Sequence, residues 1–205
     1  MATQQQLAPE KVSDQLERWL GGDGEKTLGG LIDAFGKGSF ALIFLVLMAV
    51  PALPLPTGGV THVLEVVVML LALELIVGRR TVWLPERWRK LELAGPKQEK
   101  FITTLLRRIR SLERFSRPRG RWLFGHRLSG SVFGVIVLGL ALTAFLAPPF
   151  SGLDTLPSLG VVVLALGYLL ADVLLAAVGL VIGALGVFSV IFLGSIAVKA
   201  VKSIF

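Results

Sequence analysis

VPALPLPTGGVTH, residues 50–62, breaks the first long apolar run of this chain with three prolines, two glycines and a histidine. The run itself covers 39 residues, 39–77. As one helix it would measure ~58 Å, about twice the hydrocarbon core of a bilayer. Proline lacks a backbone donor and clashes with the preceding turn. Pro51, Pro54 and Pro56, followed by Gly58 and Gly59, therefore end one helix and turn the chain. The run reads as a helical hairpin with limbs at 38–53 (~24 Å) and 60–77 (~27 Å). Both limbs are short. Either the first begins earlier, around Leu28, or the hairpin is re-entrant with its tip inside the membrane. Irregular backbone at that depth is tolerated only where protein or a water-filled cavity surrounds it.

The composition agrees with a bilayer setting. Of 205 residues 54% are hydrophobic, and the mean hydropathy is +0.75, too apolar for a soluble domain of this size. Residues 38–61 and 173–198 carry no charge. Runs of that length are read as membrane segments, so the expected class is an all-α integral membrane protein. The first twenty residues are polar, without a basic stretch leading into an apolar one, and no signal peptide is expected there. With no cysteine, the chain offers neither a disulfide nor a thiolate metal site.

The charges are unevenly spread. Fifteen of the 21 Lys and Arg lie between Arg79 and Arg127, accompanied by four acids, Glu86, Glu92, Glu99 and Glu113. Four more precede the first apolar run, and Lys199 and Lys202 follow the last. The positive-inside rule places the N-terminus and the central loop in the cytoplasm. Basic residues beside spans serve topology and attract anionic lipid. The net charge of +7 therefore points to lipid rather than to nucleic acid. The side reached by the C-terminus stays open.

A second copy of the hairpin lies 94 residues on. Gly36 falls on Gly130, Pro54 on Pro148, Thr57 on Ser151 and Gly58 on Gly152, without a gap. Allowing four further residues after the turn, Glu74 falls on Asp172. The expected fold is thus two repeated Pro/Gly-tipped hairpins, spanning or re-entrant, with one further C-terminal span and amphipathic interfacial helices. The whole chain forms one membrane domain. It divides into a cytoplasmic segment (1–27), a first hairpin (28–77) and a basic loop with an amphipathic helix (78–121). A second hairpin (122–178) and a last span (179–205) follow. Internal repeats are common in transporters, whose sites lie between them at broken helices. Gly179 and Gly183 form a GxxxG pair, which marks either an internal packing face or a dimer contact. In the basic loop Phe101, Leu105, Ile109 and Leu112 share a face, with Arg107, Arg108, Arg110 and Arg114 around much of the rest. That pattern suits a helix lying on an anionic leaflet. Trp83, Trp88 and Trp122 flank the loop where an interfacial belt would put them.

TLGGLIDAFGKGS, PALPLPTGG and ELIVGRRTVWLPE, with APPFSG and GYLLAD in the second half, resemble the ExoD family of bacterial exopolysaccharide-synthesis membrane proteins. The block from Gly78 to Pro85 is the most specific part. The resemblance implies the bacterial cytoplasmic (inner) membrane, a role in exopolysaccharide synthesis and company with other membrane proteins of that process. It supplies no mechanism. At position 74 the family pattern more often carries glutamine, so the resemblance does not require an acid there.

Ionisable groups inside a membrane are costly and are functional candidates by default. Here they are His62, Glu65, Glu74 and Asp172. His62 and Glu65, three apart, share a helix face just after the tip. Glu74, nine residues further and about half a turn around, faces a different neighbour. Asp172 would be that neighbour if the hairpins cross. With the tip residues Pro54, Thr57, Gly58, Pro148, Ser151 and Gly152, these form a candidate substrate or ion site. Arg79, Arg80, Arg107, Arg108 and Arg110 are candidates for anionic head groups. No catalytic motif, cofactor site or metal site is read from the sequence. Three functions stay open. One is a carrier of lipid-linked or anionic substrates, possible homo-oligomers included, whose four ionisable groups would converge on one cavity. The second is a non-transporting accessory protein whose acids are scattered and separately satisfied. The third is a membrane enzyme with an unrecognised site.

Overall fold

The computed structural model describes residues 11–22, 24–53, 59–79, 81–90, 92, 120, 127–148 and 151–204, with 103–114 described in part. Among these residues the protein is all-helical, with one isolated bridge between Thr27 and Glu92. The helices are α1 (Val12–Gly21), α2 (Leu28–Phe35), α3 (Ser39–Met48), α4 (Gly59–Ile76) and the single turn α5 (Glu86–Arg89). They continue with α6 (Arg127–Leu146), α7 (Thr155–Leu169) and α8 (Val173–Ile204).

Local chemistry sets the helix ends. The Thr27 side chain accepts from the Gly30 N–H and caps α2. A 3-10 turn, Gly36–Gly38, separates α2 from α3. Gly36 has φ +48°, a value that glycine adopts without a Cβ penalty. The first limb therefore begins at Ser39 rather than near Leu28, and its helix has 10 residues. Residues 54–58, which hold Pro54, Thr57 and Gly58, lie outside the described residues. In the second tip Ser151 accepts from the Leu153 N–H and donates to the Pro148 carbonyl. Gly152 has φ +68°. Pro148, Ser151 and Gly152 thus build the turn itself.

The helix α3 is the centre of the bundle. Phe40, Ala41, Leu42, Ile43, Phe44, Leu45 and Met48 are all buried, and only Val46 and Leu47 near its end are partly exposed. Its walls come from both hairpins, since it packs on α7 as well as on α4. Phe44 lies 5.8 Å from the Phe133 ring of α6, and Phe133 stacks on Tyr168 of α7 at 4.3 Å. The hairpins cross. The main partner of α3 is α7, and that of α4 is α6. Each first limb thus packs chiefly on the second limb of the other hairpin. Near one end of the bundle His62 of α4 meets Phe145 of α6, with ring centroids 5.3 Å apart. At the other, Ser131 of α6 donates to the Ile76 carbonyl of α4. The helix ends that flank both tips therefore lie at one end, and the end of α4 and the start of α6 at the other, here called the base.

The closest packing is between α7 and α8. A Cβ on Gly160 would sit 2.5 Å from the Gly183 Cα, and one on Gly186 2.5 Å from the Pro157 nitrogen. One on Gly179 would sit 2.7 Å from the Leu164 Cα, and one on Gly167 2.7 Å from the Ala176 Cα. In each pair the residue numbers add up to the same value, which is the signature of one antiparallel register. Small residues let backbones approach this closely inside membranes. Gly179 and Gly183 thus face α7 inside the same chain. The last helix begins at Val173, within the stretch assigned above to the second hairpin. Its start was hidden because the apolar run continues across the turn.

Two helices are long and apolar enough to cross a membrane, Leu128–Leu146 and Val173–Ser195, and 17% of the latter's most apolar window is buried within the protein. The outward apolar residues recur at helical spacing: Val63, Val66, Leu70 and Leu73 on α4 with Val77 just past its end, and Leu128, Val132, Val135, Leu142 and Leu146 on α6. Faces this large are foreign to monomeric proteins in water.

The seam between α7 and α8 can be tested. Gly160→Leu is expected to destabilise the purified protein by about 3 kcal/mol, an overpacking cost at its upper usual size. Gly139, whose position has open space around it, is the control. Gly139→Ala is expected to change stability by no more than about 1 kcal/mol. Thermal unfolding in detergent measures both.

Candidate functional site

The tip end holds the most unusual polar group of the molecule. Glu65, one turn and a half into α4, is fully buried. Neither carboxylate oxygen has a hydrogen-bond partner. His62 Nδ1 lies 3.2 Å from Glu65 Oε2, close enough for an ion pair although not aligned as a hydrogen bond. The i, i+3 spacing on α4 places them together, as the sequence implies. The His62 side chain is 25% exposed, and so forms the outer half of the pair. Asp154, at the head of α7, lies near enough for its charge to repel that of Glu65. Ser158, also in the first turns of α7, is buried with an unpartnered hydroxyl. Nothing in the sequence singled out Ser158. It is one serine in an apolar stretch, and its burial follows from how α7 is rotated.

The other two candidates lie at the base. Nine residues of helix carry Glu74 about 13 Å along the axis from Glu65. Its Oε2 accepts from the Trp83 N–H at 3.0 Å, and its Oε1 is 3.9 Å from Arg79. The Arg79 guanidinium also lies over the Trp83 ring at 5.9 Å. Asp172 caps α8, accepting from the N–H groups of Leu174 at 3.0 Å and Leu175 at 3.3 Å. The four ionisable residues therefore do not converge on one cavity. The pair at the tips stands apart from two acids occupied in local structure at the base. Just before Asp172, Ala171 holds φ +52°. The Asp172 N–H reaches the Gly167 carbonyl and the Ala171 N–H the Tyr168 carbonyl. This is the double hydrogen bond that ends a helix in a left-handed residue, usually glycine.

Beyond the base, α1, α2, α5 and the 103–114 segment form a polar platform. Ser13 of α1 donates through its N–H at 3.0 Å and its hydroxyl at 2.5 Å to the two oxygens of Glu113. Arg110 is 2.5 Å from Glu17, and Arg89 is 2.8 Å from Asp33. Leu106 and Ile109 are buried, as is Leu16 of α1. Ile109, one of the four residues expected on the apolar face, is thus buried, with Leu106 beside it. The polar edge of the segment is fastened to α1 through Glu113 and Arg110. Arg79, Arg107 and Arg110 are exposed. Arg80, Arg108, Phe101, Leu105 and Leu112 lie outside the described residues. Among the described residues no three His, Asp or Glu side chains gather as metal ligands would.

An all-helical chain with crossed hairpins, long outward apolar faces and a basic platform belongs to the class of membrane-associated helical proteins. The family is shown by comparison: the model for "Exopolysaccharide synthesis, ExoD" matches residues 12–192, and the chain belongs to the ExoD family, one involved in exopolysaccharide synthesis. Protein ExoD of Rhizobium meliloti is 29% identical over 157 residues, covering 75% of this chain and 64% of that one. An uncharacterized protein of Synechocystis, slr1875, is 28% identical over 152 residues, 74% of this chain and 68% of its own. The chain thus spans about two-thirds of the length of each of these relatives. No solved structure matches it.

The turn into α8 makes a sharp stability prediction. Asp172→Ala should cost about 1 kcal/mol, the usual worth of a helix N-cap. Ala171→Gly should gain up to about 1 kcal/mol by relieving the left-handed backbone. Denaturant titration of the two variants in detergent reads both signs.

Proposed function

We propose that the chain serves exopolysaccharide synthesis as a multi-pass protein of the bacterial inner membrane that moves a lipid-linked or anionic substrate, with the buried His62–Glu65 pair as its working site. The observation that carries this reading is Glu65: a carboxylate fully buried among apolar helices, with neither oxygen hydrogen-bonded and the His62 imidazole 3.2 Å away. A purely structural acid would be hydrogen-bonded, as Glu74 and Asp172 are. The crossed packing, in which α3 meets α7 and α4 meets α6, supports a repeat with a site between its copies. In this reading the outward faces of α4, α6 and α8 meet lipid. The platform of α1, α2 and the 103–114 segment lies on the cytoplasmic leaflet, as its basic residues favour. Arg79 and Arg107 gather anionic head groups there. Precursors of exopolysaccharides carried on isoprenoid phosphates have the required chemistry, an apolar tail and an anionic head.

Two measurements test this. Exopolysaccharide output of a cell depending on this chain should fall at least tenfold with Glu65→Ala, while Glu74→Gln leaves it within twofold. Equal loss from both, or from neither, contradicts the assignment. Single cysteines at Leu55, Thr57, Gly152 and Thr155 of this cysteine-free chain, probed with an impermeant thiol reagent, report tip access. Slow labelling, or protection by an added polyprenyl phosphate, is expected. Full-rate labelling from outside alone would make the tips ordinary loops.

A further inference from the structure

The charges around Glu65 do not balance unless a proton is counted. The helix itself contributes His62 on the adjoining turn. From α3, which packs on α4, no ionisable residue faces it, because 39–48 contains none. From α6, its principal neighbour, none faces it either: the sole charged residue of that helix, Arg127, stands at the base. At the head of α7 stands Asp154, which is another acid. The tip segments 49–58 and 147–153 contain no charged residue. No Lys or Arg lies between residues 38 and 78 or between 128 and 198. Among the described residues, the tip-end surroundings of Glu65 thus hold two carboxyl groups and one imidazole; the nearest lysines in the chain beyond the tips, Lys199 and Lys202, stand on the last turns of α8, about 20 Å or more past the Gly186 that meets Pro157.

An ionised carboxylate, buried without donors and facing another acid, is strongly disfavoured. Two arrangements remove the charge. Either Glu65 carries the proton and His62 is neutral, or His62 carries it and the two form an ion pair. Both contain one proton. They interconvert by its transfer across the 3.2 Å between Glu65 Oε2 and His62 Nδ1. One O–H bond breaks, one N–H bond forms, and the total charge is unchanged. The quarter-exposed imidazole is the part through which that proton can exchange with the outside.

We propose that Glu65 and His62 are a proton-binding site, holding one exchangeable proton between them, and that transport by this chain is linked to protons. The second clause rests on the carrier reading given above, and the first stands without it. His62 acts as the relay and Glu65 as the store. Asp154 favours loading by adding negative charge at the tip end.

The test uses the full chain in phosphatidylethanolamine–phosphatidylglycerol vesicles and infrared difference spectroscopy between pH 4 and pH 10. A protonated-carboxyl C=O band that titrates in this range is expected, and Glu65→Gln should abolish it. In His62→Gln the same band should persist with its proton held at least tenfold more tightly, since the imidazolium that would steady the carboxylate is gone. The His62 variant keeps Glu65 in place, so the idea stays testable if the Glu65 variant does not fold. A band that survives Glu65→Gln overturns the site. So does a midpoint unmoved by His62→Gln, which would remove the relay. Loss of the band on adding sodium at fixed pH would make the ligand a metal cation and overturn it too. Exopolysaccharide output plays no part in this readout. A chain that titrates as described yet moves no substrate would retain the site and lose only the carrier reading.

Discussion

The backbone contact between α7 and α8 governs how the rest of the bundle is arranged. Gly160, Gly167, Gly179, Gly183 and Gly186 remove the side chains that would hold the two helices apart. That contact fixes the rotation of α7. With Pro157, Gly160, Leu164 and Gly167 turned to α8, the residues about a quarter turn away point inward. These are Ser158, Val161, Ala165 and Tyr168: the first three are buried, and the Tyr168 ring stacks on Phe133. The inner face of α7 then walls α3, most of whose residues are buried, and that helix can be apolar nearly all round.

Crossing the hairpins has a related effect. A hairpin whose limbs packed mainly on each other could form alone. Here the main neighbour of α3 is α7, more than a hundred positions away, so neither hairpin has a complete core without the other. Polar groups are sorted by the same arrangement. Those at the base meet loops, backbone N–H groups and the platform, and find partners. Glu65 and Ser158 face packed apolar helices near the tips and make no hydrogen bond there.

How much of this was legible in the sequence depends on distance along the chain. The turn at the second tip was legible because proline and glycine act locally. The His62–Glu65 pair was legible because one helical turn brings the two together. The start of α8 was written as an acid preceding an apolar run, an ordinary cap signal, yet it was masked by apolar residues on both sides. The residue in the left-handed turn is also alanine rather than the glycine that would mark it. The partners of Glu74, Trp83 and Arg79, are close in sequence and reach it through the turn that follows α4. The helix α1 carries Val12, Leu16, Trp19 and Leu20 at helical spacing and could have been found. Its tie to Glu113 could not, since a hundred residues separate them. Ser158 left no trace at all, because its burial is decided by glycines on a different helix.

The register of α7 on α8 also limits how the molecule can move. Slipping α8 by one turn in one direction would drive Val187 onto Gly160. Slipping it in the other would drive Ile182 onto Pro157. Neither position has room for a branched side chain, given backbones already in contact. The seam is a ratchet with a single notch, and the two helices travel as one block.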